Sequence, residues 1–295
     1  MKIYKYLSNS KTYIFLVFVS SFMLQCGNNK TSGIIVEDLL PEWTFTKGIE
    51  GPAIDIKDNL YAVNFGEQGT IGIVNPNGEA SLYLKLPEGS VGNGIRFDKD
   101  GFMYIADYKM HNILRVDPTT REISVFAHDS TMNQPNDIAI SPITEFLYAS
   151  DPNWSDSTGK LWMADRAGNI VLLEDNMGTT NGVEVSPDGK KLYVNESIQR
   201  NVWVYDITDG GRVSNKRLFT KFEDFGMDGM RCDSAGNLYI TRHGKGTVAV
   251  FSPEGDLLKE IPLKGKLCSN IVLSSDEKTA FITMADRGCF EVVKF

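Results

Sequence analysis

Hydrophobic and polar residues in this chain follow one pattern that recurs six times. Each unit opens on a polar residue, alternates apolar with polar positions, turns at a stretch rich in Asp, Pro and Gly, and continues into an apolar-aromatic segment. The opening residues are Glu50, Asn93, Asn136, Asn181, Asp228 and Asn270. Alternation of this kind predicts half-buried strands, and the Asp and Gly positions predict tight turns between them.

Two further apolar segments follow the first hairpin of each unit, so the pattern predicts four short strands in every ~44 residues, the size of a propeller blade. No long helical pattern follows residue 30. We therefore predict an all-β fold, a six-bladed β-propeller with four-stranded blades, over residues 35–295. Two packed β-sandwiches are the alternative, but they would not explain six evenly spaced units.

The two ends of the predicted propeller carry apolar segments that belong to no complete unit. Residues 34–36 and 43–45 precede the first unit, and residues 291–295 end the chain. A propeller closes its ring when one terminus completes the blade of the other, which leaves no long strand edge open. We expect the N-terminal stretch to supply the outer part of the last blade.

The first 25 residues have the layout of a signal peptide. Lysines are followed by an apolar run over residues 13–24, which is short for a membrane span of ~20 residues. The run ends at Cys26, and the surrounding residues resemble a bacterial lipobox, although Gln25 departs from its usual small residue. This predicts a lipidated Cys26, a tether over residues 26–34, and a location on the bacterial cell envelope, on its periplasmic or extracellular face.

An uncleaved anchor and an ordinary secretory signal are the alternatives to lipidation. The remaining cysteines are Cys232, Cys268 and Cys289. Outside the cytoplasm one disulfide is permitted, and Cys268 with Cys289 is the pair that could form it. A buried, unpaired thiol is the simpler interpretation for Cys232.

Composition excludes several classes of function. The chain carries 38 acidic against 30 basic residues, a net charge of −8, which argues against nucleic acid as a partner. It has no Gly-x-Ser-x-Gly elbow, no phosphate-binding loop and no zinc-hydrolase histidine spacing. The expected partner is a small molecule, and the expected oligomeric state is a monomer.

The opening residues of the six units predict a site on the propeller axis. Innermost strands line the central channel, so equivalent positions point to one centre. Two carboxylates, Glu50 and Asp228, with several amide oxygens form a hard-oxygen site that favours Ca²⁺ or Mg²⁺ over zinc or copper. The alternative is that these residues only form turns, which Asn-Gly and Asp-Gly pairs frequently do.

Several motifs resemble the gluconolactonase and senescence-marker-protein (regucalcin) family. They are Glu50-Gly-Pro, Pro135-Asn136-Asp137 with Tyr148-x-x-Asp151-Pro152, Thr180-Asn181-Gly182, and Met227-Asp228-Gly229-Met230 with Gly236-Asn237-Leu238-Tyr239. The resemblance runs from about residue 48 to the C-terminus. It implies a six-bladed propeller with a divalent cation in its channel, and hydrolysis of lactones or, in relatives such as diisopropylfluorophosphatase, of phosphoesters.

The same resemblance implies roles for particular residues. The metal ligands are Glu50, Asn136, Asn181 and Asp228, and Asp228 is also the reactive acid, either a base or a nucleophile. Ca²⁺ is the expected ion, and Mg²⁺, Mn²⁺ and Zn²⁺ stay open.

Gln134, Asp151 and His243 are the candidate substrate contacts. Gln134 stands where sugar lactonases of the regucalcin type carry Arg, which puts a sugar-acid lactone in doubt. His243 follows the second strand of its unit and should lie near the channel mouth, although a lone histidine is often structural or exposed.

The function that follows is hydrolysis of lactones or related esters, with a carbonyl polarised by the cation and Asp228 supplying the base or nucleophile. A non-catalytic, ligand-binding propeller on the cell envelope is the alternative, and a non-hydrolytic relative is a third possibility. The Glu50 and Asp228 pair favours the enzyme, because a propeller that binds only at its rim has no need of axial carboxylates.

Overall fold

The computed structural model of the chain describes residues 33–295, in which all regular secondary structure is β-strand. The strands form six four-stranded antiparallel sheets arranged as a six-bladed propeller, which confirms the predicted fold. Blade 1 holds β2 (Phe45–Ile54), β3 (Leu60–Phe65), β4 (Thr70–Val74) and β5 (Ala80–Lys85). Blade 2 holds β6 (Gly92–Phe97), β7 (Met103–Asp107), β8 (Asn112–Val116) and β9 (Ile123–His128).

The remaining four sheets follow in chain order. Blade 3 holds β10 (Ile138–Ile140), β11 (Leu147–Asn153), β12 (Thr158–Ala164) and β13 (Ile170–Met177). Blade 4 holds β14 (Thr180–Val185), β15 (Lys191–Glu196), β16 (Asn201–Ile207) and β17 (Val213–Lys221). Blade 5 holds β18 (Met230–Cys232), β19 (Leu238–Arg242), β20 (Thr247–Phe251) and β21 (Leu257–Pro262). Blade 6 holds β22 (Cys268–Leu273), β23 (Thr279–Met284), β24 (Cys289–Lys294) and β1 (Ile35–Asp38).

Asp-centred turns join the first two strands in several blades. In blade 2 the Asp98 carboxylate accepts the backbone N–H of Phe102 at 2.9 Å and the Tyr104 hydroxyl at 3.1 Å. Gly101 takes a φ of 85° in the same turn, a conformation that costs glycine little. Asp55 and Asp233 repeat this arrangement in blades 1 and 5. The spacing of Asp and Tyr in the sequence therefore encodes these three hairpins locally.

The hydrophobic core consists of six clusters, and each joins two neighbouring blades. Ile71 of blade 1 packs with Ile105 of blade 2, and the cluster that closes the ring brings Phe45 and Ile49 together with Phe290 of blade 6. All five side chains are essentially buried. Because burial is shared between blades, the stability of each sheet depends on both of its neighbours.

The N-terminal strand closes the ring, as the sequence predicts. β1 pairs antiparallel with β24, and Asp38 lies opposite Glu291. Arg287 contacts both carboxylates, donating to Asp38 at 2.6 and 2.9 Å and to Glu291 at 2.7 Å. The outer edge of blade 6 is therefore held by backbone pairing together with a cluster of ion pairs.

Other predictions concern the cysteines and the start of the chain. Cys232, Cys268 and Cys289 are all free thiols, so the disulfide that the sequence permits does not form. The predicted signal peptide 1–25, the lipidation site Cys26 and most of the tether 26–34 lie outside the described residues. Between residues 33 and 295 no helix is long and apolar enough to cross a membrane.

Candidate functional site

The opening residue of each repeat stands at a β-bulge, where two consecutive residues face one residue of the next strand. Asp228 donates its backbone N–H to the Thr241 carbonyl at 3.0 Å, and the Thr241 N–H donates to the Gly229 carbonyl at 3.1 Å. Asn136 and Asp137 share one partner in blade 3 in the same way. Bulges re-aim side chains and are frequent next to active sites. Here they turn the opening side chains toward the channel.

The bulge corrects the prediction for the sixth repeat by one residue. Cys268 pairs with Met284 and Asn270 pairs with Thr283, so Ser269 is the residue equivalent to the other opening positions. Ser269 lines the channel. Asn270 instead donates its side-chain N–H to the Glu50 carboxylate at 3.0 Å and so orients that carboxylate. Turn residues alone could not reveal this shift, because it depends on strand register.

Glycines that follow several opening residues let the innermost strands approach the axis closely. A Cβ atom on Gly229 would lie 1.9 Å from the Asn270 side chain. A Cβ atom on Gly51 would lie 2.1 Å from the Asn93 carbonyl oxygen, and Gly51 also has a φ of 59°. Larger residues at these positions would push neighbouring blades apart and displace Glu50.

We expect Gly229→Ala to lower the free energy of unfolding by about 1–3 kcal/mol, because overpacking here forces Asn270 and β22 to move. Gly210→Ala is the matched control, since a Cβ atom at Gly210 meets nothing within 4 Å. Urea unfolding of both variants measures the difference. Equal stability of Gly229→Ala and Gly210→Ala would show that the strands do not approach as closely as described.

A cavity of about 370 Å³ opens at one end of the channel. Its lining includes Glu50, Asn136, Asn181, Asp228, His243 and Ser269. The structure thus brings together side chains from blades 1, 3, 4, 5 and 6 that are up to 219 residues apart in the chain. All four residues that the family resemblance assigns to the metal are in this lining.

A larger cavity, of about 720 Å³, lies near the Asp-centred hairpin turns of blades 1 and 2 and contains none of the predicted site residues. Tyr61, Tyr83 and Phe97 contribute to its wall. Its carboxylates Asp55 and Asp98 are already engaged in turn hydrogen bonds. The channel cavity is therefore the better candidate for chemistry, although it is smaller.

Burial and nearby carboxylates destabilise the ionised forms of both axial carboxyl groups. Burial raises the pKa of Glu50 to about 7, with a further contribution from the charge of Asp137. Burial also raises the pKa of Asp228 well above its ordinary value, and the charges of Glu50 and Asp137 add to the effect. The Gly51 N–H and the Asn270 side chain donate to Glu50 and offset only part of this cost. A positive charge between the two carboxylates would lower the cost of ionising them.

The donor set fits a divalent cation bound through oxygen atoms. The Asn181 Oδ1 atom is buried without a hydrogen-bond partner among residues 33–295, which is rare for a buried amide oxygen. Among residues 33–295 no group of three or more His, Cys, Asp or Glu side chains is placed to hold a metal, so a cation in the channel would depend on two carboxylates and the amide oxygens beside them. A cation here would take two carboxylates with amide oxygens from Asn136 and Asn181, a set that suits Ca²⁺ or Mg²⁺.

Below these ligands, a buried charge cluster fills the channel. Glu184 lies 3.4 Å from both Arg96 and Arg231, and Asp137 lies 3.5 Å from Arg96. Arg231 also donates to two backbone carbonyls. Two guanidinium groups balance two carboxylates, so the cluster as a whole is neutral. When Glu50 and Asp228 are both ionised, the net charge of the channel interior is therefore −2, which one divalent cation would balance.

Sequence reasoning missed this cluster, although the repeat pattern contained a signal for it. Arg96, Glu184 and Arg231 each stand three residues after the opening residue of their unit. Alternation in a strand returns a side chain to the same face after two residues, and the bulge adds one more. The fourth position of each unit therefore also points to the axis.

The three predicted substrate contacts lie in different environments. His243 lines the cavity, and burial lowers its pKa, so its imidazole is neutral at neutral pH. Asp151 is buried and accepts hydrogen bonds from the Gln134 N–H at 2.5 Å and the Trp162 indole at 2.9 Å. Gln134 and Asp151 are not among the residues that line the channel cavity. Substrate contact by these two residues stays a prediction, and the geometry does not favour it.

Comparison with known proteins bears on the same region. A family model described as the SMP-30/Gluconolactonase/LRE-like region matches residues 49–286. A gluconolactonase from Zymomonas mobilis is 30% identical over 244 residues, covering 70% of this chain and 68% of the relative.

Two solved structures share the fold. A gluconolactonase from Xanthomonas campestris superposes with a TM-score of 0.77 at 20% identity, covering 89% of this chain and 90% of that one. The calcium-binding protein regucalcin from Agrobacterium tumefaciens gives a TM-score of 0.76 at 18% identity, covering 88% and 93%.

Proposed function

Because this chain belongs to the SMP-30/gluconolactonase/LRE-like family, we propose that it is a lactone hydrolase that uses a divalent cation in the propeller channel. The observation that carries the proposal is the pair of axial carboxylates, Glu50 and Asp228, whose pKa values are both raised. Strongly perturbed carboxyl groups in a cleft are typical of catalytic sites. The similarity to a gluconolactonase supports the reaction class.

Glu50, Asn136, Asn181 and Asp228 would hold the cation. When bound, the cation supplies Lewis-acid polarisation of the carbonyl and stabilises negative charge on its oxygen. Ca²⁺ is the proposed ion because all four donors are oxygen atoms and the site carries two formal negative charges. Glu50 has the clearest structural part in this arrangement, since two hydrogen bonds fix its carboxylate.

Asp228 is the proposed reactive group. As a base it would take a proton from a water molecule whose oxygen bonds to the carbonyl carbon, after which the ring C–O bond breaks and the departing alkoxide takes up a proton. As a nucleophile it would bond to that carbon itself as the ring C–O bond breaks, and water would then attack the Asp228 carbonyl carbon and release the hydroxy acid. A single turnover in heavy-oxygen water separates the routes, because only the second leaves label in the Asp228 carboxylate.

A panel of lactones and aryl esters, assayed before and after treatment with EDTA, tests the proposal. We expect hydrolysis of at least one lactone, loss of that activity in EDTA and its return on adding Ca²⁺, with Mg²⁺, Mn²⁺ and Zn²⁺ compared in parallel. Circular dichroism of the chelated protein is the control for folding.

Undiminished lactone hydrolysis in EDTA would contradict a role for a cation that chelation removes. Failure to hydrolyse any member of the panel with every metal would favour the alternative, a ligand-binding propeller without catalysis. Propellers host many functions, so the fold by itself does not choose between the two.

A further inference from the structure

Part of β2 leaves the regular sheet just before Glu50 and projects into the channel mouth. Phe45 pairs with Phe65 and Glu50 pairs with Val63, so the four residues 46–49 face the single residue Asn64. This is three residues more than a regular ladder would hold. Bulges next to active sites re-aim side chains, and this one places Lys47 in the lining of the channel cavity.

The projecting segment is held by specific hydrogen bonds. Asn64 is buried, donates its side-chain N–H to the Gly48 carbonyl at 2.6 Å, and accepts the Gly69 N–H at 3.2 Å. The Gly48 N–H in turn donates to the Thr46 hydroxyl at 3.1 Å. The backbone at Gly48, next to Lys47, is therefore anchored, and it carries the exposed Lys47 side chain at the rim of the channel mouth.

Among residues 33–295, Lys47 is the only lysine or arginine that lines the cavity. Within residues 33–295 no carboxylate lies within ion-pair distance of it, and the neighbouring His243 is neutral at neutral pH. The only acids in the lining are Glu50 and Asp228, which a divalent cation would balance. The loaded mouth would then carry a net positive charge from Lys47 on a chain whose net charge is −8.

From this arrangement we propose that the channel selects lactones that carry an anionic group, and that Lys47 is the residue that binds that group. The inference rests on the proposed lactonase function and names its substrate class. A cavity of about 370 Å³ accommodates a small lactone ring with one charged substituent. The cation site would engage the carbonyl, and Lys47, from the same strand as Glu50, would engage the substituent at the rim.

Matched substrates test the selection. γ-Butyrolactone-γ-carboxylate and its neutral carboxamide share one ring, and we expect the wild-type protein to prefer the carboxylate by about 10-fold in kcat/KM, the equivalent of 1.4 kcal/mol. Lys47→Met should raise KM for the carboxylate by about 5–10-fold and leave the carboxamide unchanged, because only the charge is lost. Lys47→Arg should retain the preference, and high salt should reduce it.

Lys57→Met is the matched control, since Lys57 lies on a hairpin turn that borders the other cavity and not the channel. It should behave as wild type with both substrates. Equal kcat/KM for the two lactones, or a Lys47→Met variant that keeps the full preference, would overturn the proposal.

Binding of lactams separates this inference from the proposed function, because they need not be hydrolysed. Calorimetry with pyroglutamate and its neutral amide, in the presence of Ca²⁺, should show tighter binding of pyroglutamate to wild type and loss of that difference in Lys47→Met. If no lactone is hydrolysed but this difference is found, the lactonase proposal fails and the anion site at Lys47 stands. If the two lactams bind equally, the anion site fails whatever the activity.

Discussion

Asp228→Asn should lower turnover by about 10²–10⁴-fold, the contribution typical of a positioned acid or base, while weakening cation binding much less. The substitution keeps an oxygen ligand but removes one charge and the reactive carboxylate. Glu50→Gln should show the reverse emphasis, a large loss of cation affinity, because its proposed role is charge balance. Steady-state kinetics and calorimetric Ca²⁺ titration of both variants measure the two effects.

The same variants should be more stable than wild type when no cation is bound. Burial, with a further contribution from neighbouring carboxylates, raises the pKa of both carboxyl groups, so ionising them costs folding free energy. A neutral amide avoids that cost, and we expect a gain on the order of 1 kcal/mol at pH 8. Thermal unfolding with EDTA and with Ca²⁺ should show a higher Tm for each variant without metal and a smaller rise on adding it.

The pH dependence follows from the sign of the pKa shift. Glu50 is protonated more readily in the folded state, with a pKa of about 7 against an ordinary value of 4.5. The contribution of Glu50 to folding stability is therefore complete below pH 4.5 and is lost as pH rises through about 7. The cation-free protein should lose stability across that interval, and Glu50→Gln should flatten the loss.

Normal turnover and normal cation affinity in both variants would show that the axial site is not the active site. The ligand-binding propeller would then be the better description. Reduced stability of both variants without metal would contradict the electrostatic account of the channel.

Arg287→Ala should lower the free energy of unfolding by about 3–5 kcal/mol, because it removes the positive charge beside a buried carboxylate and leaves that carboxylate with two backbone N–H donors. Glu291 is fully buried, and Arg287 joins it to Asp38 on the strand that closes the ring. For a chain of this size, the Tm should fall by about 6–12 °C. Differential scanning calorimetry measures the change.

Lys294→Met is the matched control for the closure, because it lies in the same strand pair. Lys294 pairs with Glu37, and about half of each side chain is exposed. Exposed ion pairs contribute about 0–1 kcal/mol, so this variant should unfold almost as wild type does. A similar Tm for both variants would show that the Arg287 cluster does not hold β1 in place.

Acid should weaken the same closure. Hydrogen bonding to Arg287 is the main cause that lowers the pKa of Asp38 to about 2 from an ordinary 3.8. The contribution of the Asp38 carboxylate to folding stability is present above pH 3.8 and is lost as pH falls through about 2. Arg287→Ala should therefore show a smaller loss of stability over that interval than wild type.

Features that depend on short stretches of sequence could be predicted without the structure. The polar opening positions and the turn residues, which are Asp55, Asp98 and Asp233 in three of the blades, could be recognised because a hairpin is built from residues that are near neighbours in the chain. Repetition of the unit then indicates the blade number and the shared centre. The apolar stretch at residues 34–36 similarly indicated that the N-terminus would complete the last blade.

The details of the site required the tertiary structure. Ser269, and not Asn270, is the residue of blade 6 that lines the channel, because a bulge shifts the register of β22. No residue preference in that strand reveals this shift. Asp151 does not line the channel cavity, and its carboxylate accepts hydrogen bonds from a neighbouring loop and strand.

The charge cluster and the position of Lys47 depend on contacts between distant residues. Arg96 and Glu184 are 88 residues apart and meet only because the ring brings blades 2 and 4 to one axis. Lys47 reaches the mouth through an irregular bulge anchored by Asn64. Local periodicity was sufficient to predict the blades, their number and the polar opening positions. Only the closed ring decided the charge balance and the lining of the channel, because electrostatic energy depends on distances between side chains that no local pattern encodes.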